Sequence, residues 1–233
     1  MKKNYLSFIL ILSCFTLLAG CGSLSRQREK FVVSLNSPQI PIGEIEAQFN
    51  AFLSFGSLKK DNLKTIYFPK EDAVCLQYRR EFITYHQFWS YSGRQTLITA
   101  LEQYNNDYTE RNLNTQNRKT LRNYGAVEGY LYWQQFSFTV LAKANVNIDI
   151  GYQFKDNAPY FSVNQREAEF KEDTSSRDNN RTSSAVTLYF TRAQAAELAA
   201  LFDQSFLQSL ITAPIPGLSP EPEEVNNADR DVY

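Results

Sequence analysis

The stretch Val146-Asn147-Ile148-Asp149-Ile150-Gly151-Tyr152-Gln153-Phe154 alternates apolar residues with polar or small ones without a break. Successive side chains of a strand point to opposite faces, so this pattern predicts one buried and one wet face. Lys155 to Pro159 then supplies turn residues, and Tyr160 to Phe170 returns as a second strand. So short a connection joins only antiparallel neighbours. Upstream, Val127 to Val140 is β-branched and aromatic, with Tyr130, Tyr132, Trp133, Phe136 and Phe138. A mainly antiparallel sheet is the frame these segments predict.

Working outward toward the N-terminus, Ser92-Gly93-Arg94-Gln95 matches a capping box. Leu97, Ile98, Leu101, Tyr104 and Tyr108 follow at helical spacing, and Asn105 to Arg122 reads as a polar loop. Ala73 to Trp89 is extended and rich in aromatic residues on both faces, either one bent strand or two strands broken near Arg79-Arg80. Leu63 to Phe68 is a strand ended by Pro69, and Phe31 to Leu35 is the first strand candidate. Ile40 to Phe55 is ambiguous: Ile45, Phe49 and Phe52-Leu53 have helical spacing behind Pro41 and Gly43. A short helix or an irregular strand is expected there.

Toward the C-terminus, Lys171 to Ser183 is polar and expected to be a mobile loop. Ala185 to Phe190 is the last strand, and Thr191-Arg192-Ala193-Gln194 is a second capping-box pattern. The helix behind it, to about Ile211, places Leu198, Phe202, Phe206 and Leu210 on its core side. Pro214 and Pro216 stop it, and residues 214–233 are expected to form a disordered acidic tail.

The chain begins with Lys2 and Lys3, an apolar run from Leu6 to Leu18, and Leu18-Ala19-Gly20-Cys21. That layout is a secretory signal peptide, with an apolar run of about thirteen residues. A permanent bilayer span takes ~20. The last four residues resemble the lipobox of bacterial lipoproteins. The resemblance implies cleavage between Gly20 and Cys21, and diacylglycerol in thioether linkage to Cys21, with a third acyl chain such as palmitate on its amine. Two or more chains meet the requirement for stable anchoring. The resemblance also implies the outer membrane, because Gly22 stands where an aspartate would favour inner-membrane retention. Residues 21–30 read as a lipid-anchored polar tether.

The full chain has 24 Lys plus Arg and 25 Asp plus Glu, a net charge of −1. Loss of Lys2 and Lys3 with the leader lowers the cations to 22 and the net charge to −3. Nothing so balanced predicts nucleic acid as a partner. Of three cysteines, Cys14 leaves with the leader and Cys21 carries lipid, so packing rather than a disulfide holds the fold. Cys75 lies in an apolar strand pattern and reads as a buried, inert thiol.

Catalytic chemistry needs convergent groups. His86 is the one histidine and sits mid-strand. One histidine and one spare cysteine do not make a tetrahedral zinc set. No H-E-x-x-H, G-x-S-x-G or phosphate-loop pattern occurs. Glu128, Asp149, Glu167 and Glu169 read as the solvated face of a sheet, and mixed-sign pairs such as Arg79-Arg80-Glu81 as exposed cross-strand ion pairs. The enrichment in 17 Phe, 14 Tyr and two Trp suits either packing or a binding platform.

The expectation is one α+β domain over 31–213: an antiparallel sheet of six to eight strands with helices near 93–111 and 192–211 on one face. Its expected role is that of a non-enzymatic, lipid-anchored envelope lipoprotein with no cofactor, partnered by the membrane through Cys21 and by envelope proteins. The second reading is a binding module for a small apolar or carbohydrate ligand, held by Trp89, Tyr130, Tyr132 and Trp133 in a groove between sheet and helices.

Overall fold

The computed structural model describes residues 31–50, 58–113, 118–135, 141–170 and 181–212. The chain divides into two units, Met1–Lys30 and Phe31–Tyr233, and the described residues all lie in the second. Among the described residues there are ten strands: β1 (Ile40–Asn50), β2 (Leu58–Phe68), β3 (Ala73–Arg80), β4 (Ile83–Trp89), β5 (Gly125–Gln135), β6 (Ala142–Lys155), β7 (Ala158–Gln165), β8 (Ala168–Phe170), β9 (Arg181–Ser183) and β10 (Val186–Phe190). The helices are α1 (Tyr91–Thr109), α2 (Arg192–Phe202) and α3 (Gln204–Thr212), with a 3₁₀ turn at Arg118–Arg122.

Eight of the strands close into an antiparallel barrel in the order β1-β10-β7-β6-β5-β4-β3-β2, and β8 and β9 form a separate hairpin. Sequential neighbours pair all the way from β1 to β7, and β10 seals the gap between β7 and β1. The expected antiparallel sheet is therefore present and α-helices accompany it. The sheet, expected with both helices on one face, is closed, so it has an inside and an outside, and the helices follow from β4 and β10 at one end. Closure also removes the unpaired edges that an open sheet would expose.

One rim carries the turns β3–β4 and the starts of β2, β6 and β10; we call it the turn rim. The other is the helical rim. There, β4 runs directly into α1 and β10 into α2. Ser90 caps α1, its hydroxyl accepting from the Gly93 amide at 3.2 Å. The capping box expected at Ser92 is not formed; a single cap two residues earlier starts the helix, and Gly93 at the third position has no side chain to return the bond. Thr191 and Gln194 form the reciprocal capping box predicted for α2. The single last helix is instead two. Asp203 is extended, and its carboxylate accepts from the Phe206 amide to start α3. The break lets Phe202 turn its ring edge onto Trp89, with centroids 5.7 Å apart.

The ambiguous N-terminal segment is strand β1, kinked by a bulge between Pro41 and Gly43. Gly43 has φ 151°, and a methyl of Leu201 in α2 lies 3.3 Å from where its Cβ would stand. The break in the long extended stretch falls at Glu81-Phe82, a two-residue turn. Asp156-Asn157, with φ 48° and 65°, makes the type I′ turn between β6 and β7. The predicted strand Phe31 to Leu35 is not one. Residues 31–39 form an irregular strap lying across the outside of the barrel, where apolar packing rather than a strand ladder holds them. Phe52-Leu53, Phe136, Phe138, most of the 171–183 loop and the acidic tail lie outside the described residues.

Candidate functional site

The alternation that makes a strand two-faced here separates a lumen from an outer wall. Registers Tyr85↔Trp133, Gln87↔Leu131 and Val74↔Trp89 put these side chains on one face, and His86↔Tyr132 and Phe88↔Tyr130 on the other. Trp89 and Trp133 belong to the interior core, together with Tyr67, Tyr78, Tyr85, Phe161 and Phe190. Tyr130 and Tyr132 belong to a second apolar cluster on the outer wall. The four aromatic residues singled out from sequence are thus brought together as two pairs, one on each side of the sheet, not as one platform.

Inside, four polar side chains meet in the apolar core. The Tyr78 hydroxyl donates to Gln165 Oε1 at 2.8 Å, and Gln87 Nε2 donates to the same oxygen at 3.2 Å. Trp89 Nε1 donates to Gln87 Oε1 at 3.1 Å. Gln87 and Gln165 stand on β4 and β7, so their amides bridge the lumen. Each is 0% exposed, as are Thr65 and Leu131 around them. Gln165 Nε2 and Thr65 Oγ1 have no hydrogen-bond partner. Burial pushes the Tyr78 hydroxyl well above its ordinary pKa, so it stays a neutral donor. An eight-stranded barrel encloses room for its own side chains or for one small ligand. Here large side chains occupy it: Trp89, Tyr67, Tyr85, Phe161 and Phe190 are each at most 2% exposed.

On the outer wall, Val33 of the strap packs against Phe68, Ala73, Cys75, Phe88, Tyr130 and Tyr132 and is 0% exposed. The Tyr132 hydroxyl donates to the Val33 carbonyl at 2.7 Å. Ser37 bonds to Glu71 in the β2–β3 turn. Phe68 and Phe88, and Phe88 and Tyr132, meet edge to face at 5.1 and 5.9 Å. Burial raises the Tyr130 hydroxyl to about 12 and raises the Cys75 thiol further, which leaves Cys75 without the thiolate that makes a cysteine reactive. Desolvation lowers the pKa of His86 on this wall, so it is neutral near pH 7.

Outside the lumen, two acidic residues, Asp72 and Asp149, gather ion pairs. Arg94 of α1 is 0% exposed and donates to the Asp72 carboxylate at 2.6 Å, to the Asp72 carbonyl at 3.1 Å and to the Phe202 carbonyl at 3.4 Å. Tyr67 and Gln204 donate to the same carboxylate, so one residue ties β2, the β2–β3 turn, α1 and α3 together. No signal in the sequence marked Arg94 or Asp72 beyond their place in a capping pattern and a turn. On the outside, Asp149 receives a bidentate pair from Arg166 at 2.8 and 2.9 Å, with Arg122 at 3.6 Å. Glu128 accepts from Asn145 at 2.8 Å. Glu128 and Asp149 therefore serve separate local contacts; Glu128, Glu167 and Glu169 are exposed as expected, whereas Asp149 is buried under its arginine. Among the described residues, no group of three His, Cys, Asp or Glu side chains is placed to hold a metal ion. Nor is any helix among them long and apolar enough to cross a membrane.

No curated protein and no solved structure matches the chain. One family model does, over residues 23–209, and it takes in the whole barrel and both capping helices as far as α3. The chain belongs to that family, described as an uncharacterised Treponema protein.

Proposed function

We propose that the protein is a lipid-anchored envelope lipoprotein whose barrel is a rigid, non-enzymatic body that works through contacts of its outer surface. Diacylglycerol on Cys21 holds it at a membrane, the outer membrane on the Gly22 rule, and residues 22–30 tether the barrel. The observation that carries this reading is the filled lumen. Large side chains and a bridging pair of glutamines, all out of reach of solvent, occupy the space a ligand would need. Such an interior is a packed core, and what remains for recognition is the outside.

Two measurements test it. Intact mass of the purified protein, with and without Cys21→Ala, reads the anchor: a chain starting at Cys21 with added diacylglycerol is expected, and unmodified wild type removes the anchor. Photo-crosslinkers placed on the barrel exterior in intact cells read the contacts. Capture of discrete protein neighbours is expected, and none from any face of the barrel counts against a contact role.

One observation favours the second reading, a small apolar or carbohydrate ligand. Gln165 Nε2 and Thr65 Oγ1 lie without partners in the same lumen as Trp89 and Trp133. Buried polar atoms normally find a partner. A ligand able to bond both would have to displace side chains that now fill the barrel. Native mass spectrometry distinguishes the readings, since a bound ligand adds mass that denaturation removes.

A further inference from the structure

We propose that the barrel has a built-in opening point, the seam between β1 and β10, and that parting of these strands is how water reaches the lumen. Closure rests on unequal joints. Among the described residues, β1 and β10 are registered at Gln48↔Tyr189 and Phe49↔Leu188 alone. The next shortest joints, β10 with β7 and β2 with β3, hold five registered pairs each, and β1 with β2 holds ten. Opening free energies within one fold range from near zero to the global value, and the joint with the shortest ladder stands at the low end. The short register follows from strand length. β1 has eleven residues and β10 five. Where β10 ends, the chain passes into α2, which packs on the part of β1 that β10 does not reach. Gln194 Nε2 donates to Glu46 Oε1 at 2.7 Å, and Leu201 lies against Gly43. Across the joint itself, Tyr189 acts as a clasp. Its hydroxyl accepts from Asn50 Nδ2 of β1 at 3.5 Å and donates to Gln153 Oε1 of β6 at 2.6 Å. Side chains therefore hold much of this seam, where backbone ladders hold the others.

The polar groups of the lumen stand on the strands that flank this seam. Thr65 on β2 is registered with Gly43 of β1, and Gln165 on β7 with Val186 of β10. Both residues are fully buried, and Thr65 Oγ1 and Gln165 Nε2 have no hydrogen-bond partner in the protein. Buried polar atoms are normally completed by protein or by ordered water. An amide nitrogen offers donors, and a hydroxyl both donates and accepts, so water suits the two of them. Entry between β1 and β10 delivers it from the side on which both groups stand, with the ladders from β2 to β7 left intact. On the ligand reading above, the same seam is the entrance for the ligand. That step rests on the reading, and the seam itself does not.

The test is native-state amide hydrogen exchange of the full mature chain, read by mass spectrometry in urea below the unfolding transition. Residues 46–49 and β10 should exchange through an opening about tenfold or more above the population of the one that exposes β5 and β6. That opening should respond weakly to urea, because it exposes little surface. So minor a state is visible to exchange, while tryptophan emission reports the closed majority. Two variants separate a local opening from global unfolding. Tyr132→Phe loses a bond to the strap that stays made while the seam is open. It should therefore speed exchange in β5 and β6 and leave the seam unchanged. Glu46→Ala loses the bond from Gln194 and should speed the seam roughly threefold or more. Seam exchange that rises in step with β5 and β6 in Tyr132→Phe overturns the proposal, as does a seam that Glu46→Ala leaves unchanged. No ligand enters the measurement, so its failure is distinct from failure of the ligand reading, which native mass spectrometry decides.

Discussion

Asp72 is the residue on which the helical rim depends. Its carboxylate is the one side-chain anion on a guanidinium that is otherwise wholly buried. Removing one partner of a fully buried pair costs about 3–5 kcal/mol; the Asp72 side chain is 39% exposed, so solvent screening brings the cost here to roughly half of that. Asp72→Ala should lower stability by that order in urea unfolding. The double change Asp72→Ala, Arg94→Met should recover much of it, since no buried charge remains. His86 supplies a second prediction. Its pKa is depressed by burial, so the unfolded chain binds the proton more readily than the folded one. Its contribution is then fully present above the unfolded pKa, about 6.5. It is lost as pH falls through the folded value. The imidazole resonance, single in this chain, should titrate below 6.5, and His86→Gln should flatten the acid side of the stability curve.

At the scale of an element, the strap is the part most open to a direct test. Deleting the Tyr132 hydroxyl leaves the buried Val33 carbonyl without its donor, a cost of about 1–3 kcal/mol. Cys75 lies beneath the strap, so its thiol reports when the strap lifts. Tyr132→Phe should speed labelling of Cys75 by a thiol reagent roughly tenfold, since about 1.4 kcal/mol is a factor of ten. Unchanged labelling would mean that the strap is held by Val33 and its neighbours alone. The strap also shows where local pattern misleads. Phe31, Val33 and Leu35 alternate as a strand would, yet no neighbouring strand is free to pair with them, because the barrel has already closed. The helix starts were legible to within two residues, because capping is a local matter of one hydroxyl and an amide three residues on. The break at Asp203 was not, since the pattern of apolar residues continues across it. It is set by Trp89 and Arg94, more than a hundred residues away in sequence.

For the whole molecule, the two tryptophans are the reporters of the lumen, at 1% and 4% exposed. Native emission should be blue-shifted and nearly insensitive to acrylamide. It should become quenchable in one cooperative step with loss of the barrel, as closure makes each strand depend on its neighbours. Strong quenching before unfolding would mean an open lumen and would favour the ligand reading.

The sequence by itself determined the central parts of β2 to β7 and β10, the antiparallel pairing of β6 with β7, and the starts of the helices after β4 and β10, because alternation, turns and caps are written in neighbouring residues; β9 falls in a stretch that reads as a loop, and β8 in one that reads as continuous with β7. It also carries the lipobox resemblance at Cys21, which no fold is needed to read. Only the tertiary structure decided that the sheet closes and that Trp89 and Trp133 face inward while Tyr130 and Tyr132 face out. It likewise decided that Arg94 is buried and Phe82 bare. Alternation says that two faces exist but not which is concave, since inside and outside of a barrel are both apolar where a strap covers the wall. That choice rests on register and closure between strands far apart in sequence, such as β1 and β10.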